Sequence, residues 1–443
     1  MALENLGGLA MHIILSKLRP ADTASVACVS RRLRTWASED DSLWFKYCLD
    51  DLQFDSPQDP EGNPLPSFKV AYQAWREAFI MYPWSLVIRA KRCWNRMKIW
   101  LAANFPEMVG TLRKGASEDE IKSLEKILKI KLPLPTRVLY RLCNGQELNL
   151  DELSGRVPQN LVGLIGGYSF YDHRVNVFLL PLELVVLETK DIIQHLGFSS
   201  RSQYVVVAAS CPYSEKIFFL NCSNSQLYVG TRNLTTEGDM LPCVPDSLIS
   251  SVHDSKGELQ DGMLLWLEEH GRRLENGIIK IRREGIVRGI NHFPELPPLC
   301  PSAITHGVKV RASAVFVPEF SNLQNESEKF LFAYSVRMSL LPEGCITNGT
   351  KFNSCQLHLR HWTIRVNGTV VDQVDGEAVI GKFPLLRPGN EEFVYESCTY
   401  LHSLPGSIEG YFTFVPGRLA EPKGSPFAVQ VAPFPLELPD YIF

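Results

Sequence analysis

The chain of 443 residues lacks an excess of charge of either sign, since 45 Lys and Arg residues stand against 49 Asp and Glu residues and give a formal net charge of −4. Because a protein that binds nucleic acid needs a basic excess, we do not expect nucleic acid as a partner. The apolar fraction of 45% and the charged fraction of 21% exclude a largely disordered chain. At about 150 residues per domain, this length indicates about three domains.

Closely spaced cysteines are also missing. None of the 11 cysteines forms a C-x-x-C pair, and zinc ribbons, RING modules and thioredoxin-like redox sites all need that spacing. Scattered thiols, together with a first segment that lacks the basic start of a secretory signal, indicate a reducing environment. We therefore expect an intracellular protein, cytoplasmic or nuclear.

The common motifs of catalysis and cofactor binding are absent. The chain contains no G-x-x-x-x-G-K-[ST], H-E-x-x-H or G-x-S-x-G. No apolar run reaches the roughly 20 residues that a membrane-spanning helix requires. His358 and His361 stand three apart in a strand-like run, where they would point to opposite faces and not chelate one metal. We therefore expect a protein that is not an enzyme, with no metal, cofactor or membrane partner.

The first 48 residues have helical periodicity. Leu6, Leu9, Ile13 and Leu18 recur at spacings of three to five, and a Pro20-Ala21-Asp22 break begins a second helical segment. Fewer than fifty residues in short amphipathic helices cannot bury enough apolar surface to be stable alone. A partner that covers the exposed apolar face usually completes such a unit.

The middle of the chain is predicted to be mixed α and β. Residues 67–105 are helical in pattern, and Ser117 with Glu120 forms the capping box of a further helix. Residues 160–235 contain short strands with Gly and Asn turns, and a helix is predicted at 258–275. Two proline-rich segments, 55–66 and 291–301, are predicted to be linkers.

From residue 304 onward the pattern is all-β. Seven candidate strands separated by turn residues predict a sandwich of about 140 residues. These strands are VKVRASAVFV, KFLFAYSVRMSL, CQLHLRHWTIRV, TVVDQV, EFVYESCTYL, GSIEGYFTFV and FAVQVAPFPL. We expect this region to fold on its own.

A basic stretch between Ala78 and Pro106 has no acidic residue and includes Trp94 and Trp100. Basic residues with aromatic neighbours are one pattern of nucleic-acid binding. The helical spacing equally fits an amphipathic helix with a solvated basic face and Trp turned inward, which we favour. The basic residues are Arg89, Lys91, Arg92, Arg96 and Lys98.

The N-terminal segment LGGLAMHIILSKLRPADTASVACVSRRLRTWASEDDSLW resembles an F-box. Leu6-Gly7 stands where the family usually has Leu-Pro. The resemblance implies an interface with a Skp-type adaptor protein, with some residues facing the adaptor and others the small internal core. The alternative is that all of them are internal packing positions. The candidate adaptor-binding residues are Leu6, Ile13, Ile14, Leu18, Pro20, Val26, Val29, Leu33 and Trp44.

The C-terminal region resembles an ApaG domain, whose members are fibronectin-like β-sandwiches. The resemblance rests on Arg360-His361-Trp362, Gly376 to Gly381, Pro388-Gly389 and Gly406 to Tyr411. Ala378 replaces a glycine of the family's G-E-G-V-V-G loop, and a Cβ there restricts the approach of a ligand. Gly376 to Gly381 also resembles a degraded dinucleotide motif, but it opens no helix after a strand. We interpret the triplet as structural; the alternative is a ligand site with Arg360, His361, Gly376 and Gly381.

The segment SEDEIKSLEKILKIKLPLPTRVLYRLCNGQEL is similar to the opening of the SUKH (Smi/Knr-like) superfamily of α+β binding modules. The matching features are the helix, Leu132-Pro133 and Asn144-Gly145. The predicted architecture is therefore a multidomain chain with an all-α F-box, an α+β SUKH-like domain and an all-β ApaG sandwich. The predicted boundaries are 1–48 for the F-box, 49–84 for a linker and helix, 85–285 for the SUKH-like domain, 286–301 for a linker and 302–443 for the ApaG domain.

Together these modules resemble a group of eukaryotic F-box proteins that includes plant proteins. The resemblance implies a non-catalytic substrate receptor of an SCF (Skp–cullin–F-box) ubiquitin ligase, which reaches cullin and a RING subunit through the adaptor and recruits an unidentified substrate protein for degradation. An alternative is a sensor of a small anionic ligand or phosphometabolite in the ApaG sandwich. A nucleotide-processing enzyme ranks last.

Overall fold

The computed structural model describes nine parts of the chain, which are residues 7–148, 162–197, 203–210, 216–231, 234, 239–249, 260–284, 287–325 and 327–443. The chain forms two compact units. The first unit comprises Met1–Gly145 with Ser251–Leu264, and the second comprises Gln146–Ser250 with Leu265–Phe443. Within the described ranges, no helix has both the length and the apolar character needed to cross a membrane.

The first unit is helical. The helices predicted for residues 1–48 and 67–105 and for the segment after Ser117 are all present. The helices described in this unit are α1 (Gly8–Leu15), α2 (Pro20–Ala27), α3 (Arg31–Glu39), α4 (Asp41–Tyr47), α5 (Phe68–Ala78), α6 (Trp84–Asn104), α7 (Pro106–Val109), α8 (Glu118–Leu128) and α9 (Leu134–Leu142). Of these, α7 and α9 were not predicted.

The capping box predicted for α8 is confirmed. The Ser117 hydroxyl accepts a hydrogen bond from the backbone N–H of Glu120 at 3.2 Å, and the Glu120 carboxylate accepts one from the backbone N–H of Ser117 at 2.6 Å. This exchange satisfies two backbone donors that the start of a helix leaves without intrahelical partners.

The segment that follows α4 packs against it. A π-helical turn, Cys48–Leu52, continues α4, and the ring of Phe45 lies 5.0 Å from that of Phe68 at the start of α5. The Asp51 carboxylate accepts hydrogen bonds from the Tyr72 hydroxyl at 2.7 Å and from Nε1 of Trp84 at 3.0 Å. These contacts join the first four helices to the rest of the unit.

The second unit begins with an eight-stranded sheet in the order β6-β5-β4-β3-β2-β1-β8-β7, in which only the β1–β8 pair is parallel. The short strands predicted between 160 and 235 all belong to it. The strands are β1 (Gly166–Phe170), β2 (His173–Leu179), β3 (Tyr204–Ser210), β4 (Ile217–Asn221), β5 (Leu227–Gly230), β6 (Leu241–Pro242), β7 (Lys280–Glu284) and β8 (Val287–Asn291).

Two helices of this unit, at Leu182–Leu196 and Asp246–Ile249, were not predicted. Helix α10 (Leu182–Leu196) follows β2 directly. Its first residues continue an apolar, β-branched run, and such a run is compatible with a buried strand as well as with a helix. The helices α11 (Asp246–Ile249) and α12 (Gly262–Glu275) follow later, and α12 matches the prediction for 258–275.

The C-terminal region is an all-β sandwich, as predicted. One sheet has the order β17-β11-β10-β9; in the other, β14 lies between β15 and β18, and β18 also pairs with β20. All seven predicted strands are present. The strands are β9 (Ser302–Thr305), β10 (Val308–Phe316), β11 (Phe330–Leu340), β12 (Cys345–Thr347), β13 (Thr350–Phe352), β14 (Cys355–Val366), β15 (Thr369–Glu377), β16 (Leu385–Leu386), β17 (Phe393–Leu401), β18 (Gly406–Arg418), β19 (Glu421–Pro422) and β20 (Phe427–Leu436).

The first half of the proline-rich segment 291–301, predicted to be a linker, is packed in the structure, whereas residues 296–299 are exposed. Strand β8 already occupies part of the predicted linker 286–301, and residues 291–295 are buried, with Phe293 fully enclosed. Proline-rich sequence indicates that a segment has no regular structure, but it carries no information about burial. The boundary at residue 302 and the independent folding of 302–443 stay predictions.

Two buried imidazoles predict that acid destabilises the second unit. Burial lowers the pKa of His270 to about 4 and that of His292 well below its ordinary value, so both rings are neutral in the folded state. Nε2 of His270 donates to the carbonyl of Leu164 at 3.0 Å, and Nε2 of His292 donates to that of Ile165 at 2.7 Å. An unfolded histidine binds its proton near pH 6.5, so between pH 6.5 and 4 the unfolded state holds more protons.

We expect the free energy of unfolding to fall as the pH falls through this window, by about 3 kcal/mol for His270 alone. Thermal melting of the full chain from pH 7 to pH 4 measures the slope. The variant His270→Gln, which retains a donor but no titrating group, should reduce the slope. An equal slope in His270→Gln and the parent chain would contradict this assignment.

Candidate functional site

Exposed apolar side chains lie on one side of α1 and just after α2. Leu9, Ile13 and Ile14 on α1 are 78%, 53% and 37% exposed, and Val29 just after α2 is 73% exposed. We call these four residues the apolar face. Apolar side chains gathered at such exposure mark surfaces that a partner covers.

The opposite sides of the same helices form the core. Met11 and Leu15 of α1 are each 1% exposed, and Leu33 of α3 and Trp44 of α4 are buried with them. Nε1 of Trp44 donates to the carbonyl of Ala37 at 2.7 Å, which satisfies its buried polar group.

The predicted adaptor-binding residues therefore separate into three groups. Ile13, Ile14 and Val29 are exposed, whereas Leu33 and Trp44 are core residues that shape the surface from behind. The remaining residues within the structure, Leu18, Pro20 and Val26, are half-buried. Leu6 lies outside the described residues.

A polar network holds the helices beneath the apolar face. The Tyr47 hydroxyl of α4 lies 2.7 Å from the Thr23 hydroxyl of α2 and hydrogen bonds to the carbonyls of Leu15 and Leu18 at 3.0 and 3.1 Å. These contacts tie α1, α2 and α4 together at one point. His12 and Asp40 form a second link, because Nδ1 of the imidazole contacts the carboxylate that caps α4.

Sequence reasoning missed Leu9 and the Tyr47 network as parts of this site. Leu9 belongs to the periodic apolar residues of the first helix. Its position one turn before Ile13 could have indicated that both side chains lie on the same face. The network carried no local signal, because Thr23 and Tyr47 are separated by 24 residues.

The second predicted site lies in the sandwich. Trp362 is buried in the core as predicted, with its ring 5.2 Å from Phe412 and 6.2 Å from Phe434. Arg360 points to the same side of β14 and faces Gly376 across the β14–β15 pair, where an added Cβ would lie 3.3 Å from Nη2 of the arginine. Glycine at this position thus leaves room for the guanidinium group.

His361 lies on the other face of β14. Its ring stacks on Tyr411 at 4.2 Å, with Nδ1 2.7 Å from the Asp375 carboxylate and Nε2 3.2 Å from the Thr413 hydroxyl. Both ring nitrogens are therefore engaged, and a neighbouring carboxylate opposes the binding of an anion. This geometry does not favour His361 as part of an anion site.

The predicted ligand set is only partly brought together. Arg360 and Gly376 are direct neighbours, but within the described part of the sandwich no contact joins Gly381 to them. The loop that contains Gly381 bends through left-handed conformations at Ala378, Ile380 and Gly381, with φ of 62°, 45° and 74°. Ala378 thus occupies a conformation that glycine adopts without strain. Across the described ranges, no group of three His, Cys, Asp or Glu side chains is arranged to hold a metal ion.

The structural role of this triplet predicts a sharp contrast between neighbouring residues. We expect His361→Ala to change the free energy of unfolding by less than about 1 kcal/mol, because its contacts lie at the surface. Trp362→Ala removes a buried ring and should melt far lower. Thermal melting of the full chain with and without inorganic phosphate measures both effects. A His361→Ala variant that melts like the parent chain but loses a phosphate-dependent shift would favour the ligand-site alternative.

Comparisons with known proteins place two families on the chain. The family model described as F-box-like matches residues 10–50, and the model described as ApaG domain matches residues 320–416. The first match contains Ile13, Ile14 and Val29, and the second contains the Arg360–Trp362 triplet.

Relatives match over nearly the full length. F-box protein SKIP16 from Arabidopsis thaliana is 57% identical over 100% of this chain and 100% of its own. F-box only protein 3 from Homo sapiens is 27% identical over 94% of this chain and 79% of its own. Protein ApaG from Anaeromyxobacter dehalogenans is 34% identical over 31% of this chain and 95% of its own. The SUKH-like assignment of the middle region stays a prediction.

Proposed function

Because the chain belongs to the family of F-box proteins and carries a C-terminal ApaG domain, we propose that it is a substrate-recognition subunit of an SCF ubiquitin ligase. In this role the N-terminal helices bind a Skp-type adaptor, which connects the chain to a cullin and a RING subunit. The chain itself contributes recognition and no catalytic step. The regions after the F-box recruit a target protein for ubiquitination and proteasomal degradation.

The observation that carries this proposal is the apolar face. Leu9, Ile13 and Ile14 are exposed on α1, whose opposite side buries Met11 and Leu15, and Val29 is exposed just after α2. Burying such side chains in an interface contributes about 25 cal/mol per Å² of apolar area removed from water. An adaptor with a complementary apolar surface is therefore the partner that this face favours.

The division of the chain into two units also supports a receptor role. The helices of the apolar face belong to the first unit, whereas the large sheet and the sandwich form the second. We propose that the second unit, or the part of the first unit beyond the F-box, holds the target protein.

Co-expression of the full chain with a Skp-type adaptor and a cullin tests the proposal. We expect the three proteins to co-elute in size-exclusion chromatography. A full-length chain with a disabled apolar face should still bind its target but no longer deliver it for degradation, so target proteins should accumulate on it. Failure of the parent chain to retain the adaptor would contradict the proposal.

A further inference from the structure

A pocket of about 220 Å³ lies within the first unit, away from the apolar face. Its walls come from α5, α6, the turn at 58–62 and the segment just before α8. Three lysines are among its lining residues, Lys91 and Lys98 on α6 and Lys114 in the segment before α8. The rings of Trp75 and Trp94 complete the wall, so this is where part of the basic, Trp-containing stretch of the sequence converges.

In the part of the chain that the structure describes, the three ammonium groups form no ion pair with a carboxylate. Nζ of Lys91 donates to Oδ1 of Asn95 at 2.9 Å, and the ammonium groups of Lys91 and Lys98 lie 5.1 and 6.0 Å from the ring centres of Trp75 and Trp94. Among the described residues, none of these lysines lies within 4.0 Å of an acidic side chain. Lys91 and Lys98 are half-buried, whereas Lys114 is exposed.

Two acidic residues, Asp59 and Glu61, also line the pocket beside the three lysines. The Asp59 carboxylate accepts hydrogen bonds from the backbone N–H and the side-chain amide of Asn63, both at 2.8 Å, and this closes the turn. Glu61 at the tip of the turn is exposed. With three lysines and two carboxylates, the lining keeps a formal excess of one positive charge.

The frame around the pocket is rigid. Nε1 of Trp75 donates to the carbonyl of Gln58 at 3.0 Å, and the backbone N–H of Asn144 donates to the carbonyl of Lys114 at 3.1 Å. A Cβ at Gly115 would lie 1.9 Å from the carbonyl of Arg141, so this segment packs directly on α9. The lysines project from fixed backbone, and little ordering is needed when an anion binds.

Repulsion between the lysines also indicates that the pocket is suited to an anion. Burial, together with the nearby charge of Lys98, lowers the pKa of Lys91 to about 8. A doubly charged anion between the lysines would relieve this repulsion and favour the protonated ammonium group.

We propose that this pocket binds a phosphomonoester group, carried either on a peptide side chain or on a small metabolite. A phosphate monoester brings a charge of about −1.5 to −2 and three strong acceptor oxygens, which suits several converging ammonium donors. The Trp rings supply an apolar wall for the atoms that carry the phosphate. The proposal is independent of adaptor binding, because no pocket residue belongs to the apolar face.

Isothermal titration of the full chain with inorganic phosphate, O-phosphoserine and a phosphoserine peptide tests the site. We expect Lys98→Gln and Lys114→Gln each to weaken phosphate binding about 10-fold, which corresponds to one charge-assisted hydrogen bond. Lys126→Gln, at an exposed lysine of α8, is the matched control and should change affinity less than about twofold. Stronger binding of the peptide than of O-phosphoserine identifies a peptide source, and equal binding identifies a small metabolite; both support the site.

A second readout follows the Lys91 ammonium by NMR after reductive ¹³C-methylation, which retains the charge. Inorganic phosphate should raise the pKa of Lys91. Lys98→Gln should also raise this pKa in the absence of phosphate, because it removes a neighbouring positive charge. The pKa of Lys91 can therefore be measured in a folded variant even where its phosphate affinity is too weak for calorimetry. No phosphate-dependent shift in the parent chain would overturn the proposal. Equal loss of affinity in Lys126→Gln, or binding of a single-stranded oligonucleotide in the absence of any phosphate binding, would overturn it as well.

Discussion

Replacing Ile14 and Val29 together with alanine is expected to abolish co-purification of the full chain with a Skp-type adaptor. Truncating one central apolar anchor of an interface costs about 2 kcal/mol or more, so two anchors weaken binding by about 4 kcal/mol, or roughly 1,000-fold. Both side chains are exposed in the free chain, and their truncation should change its free energy of unfolding by less than about 0.5 kcal/mol each. The expected result is a folded chain that no longer binds the adaptor.

Two further variants separate binding from folding. The matched control is Ile80→Ala with Ile99→Ala, because these residues are 80% and 69% exposed in the same unit but lie outside the apolar face. This control should retain the adaptor. Leu33→Ala should instead lower the melting temperature, since it removes a buried side chain at a cost of about 2–5 kcal/mol. Full adaptor binding by the Ile14/Val29 variant would show that these positions are not interface anchors.

The largest expected effect on stability comes from Glu295→Ala in the second unit. The buried Glu295 carboxylate accepts hydrogen bonds from Nε of Arg282 at 2.9 Å and Nη1 of Arg311 at 3.1 Å, and it also contacts Nη1 of Arg337. Arg337 is 4% exposed, and its Nε and Nη2 have no hydrogen-bond partner among the described residues. Removing the carboxylate leaves buried positive charge uncompensated, which costs about 3–5 kcal/mol.

Hydrogen exchange of the full chain measures this effect at the backbone amides of β8 and β10, which flank the cluster. We expect faster exchange at these strands in Glu295→Ala, together with a lower melting temperature. The control is Glu409→Ala, which breaks the Arg365–Glu409 pair at the surface of the same sandwich and should cost less than about 1 kcal/mol. If exchange at β8 and β10 were unchanged in Glu295→Ala, the segment 291–301 would act as the loose linker that its prolines suggested.

Local sequence patterns predicted most of the secondary structure. The spacing of apolar residues indicated the first helices. Short β-patterned runs separated by turn residues indicated all seven main strands of the sandwich. Short-range signals succeed where the interaction spans a few residues, as in the Ser117–Glu120 capping box. They failed at α10, because an apolar, β-branched run at Leu182 to Leu187 is compatible with either a strand or a helix.

Two features of the sites could not be predicted from the periodicity of the sequence. The β14–β18 register shifts between Leu357 and Leu359, so the side-chain alternation of β14 changes within the strand. Likewise, the sequence placed both exposed and core residues in one adaptor-binding set. Only the packing of α1 against α3 and α4 separates Ile13 and Ile14 from Leu33 and Trp44.

The sequence by itself determined the family, the order of the modules and the helices that carry the apolar face, because each depends on residues that are near one another in the chain. The tertiary structure alone decided that Glu295 joins Arg282, Arg311 and Arg337 and that Lys91, Lys98 and Lys114 share one pocket. Charges interact through space according to their distance and burial. The separation of two residues in the sequence gives neither their distance in space nor their burial. These sites can therefore be identified only in the folded structure.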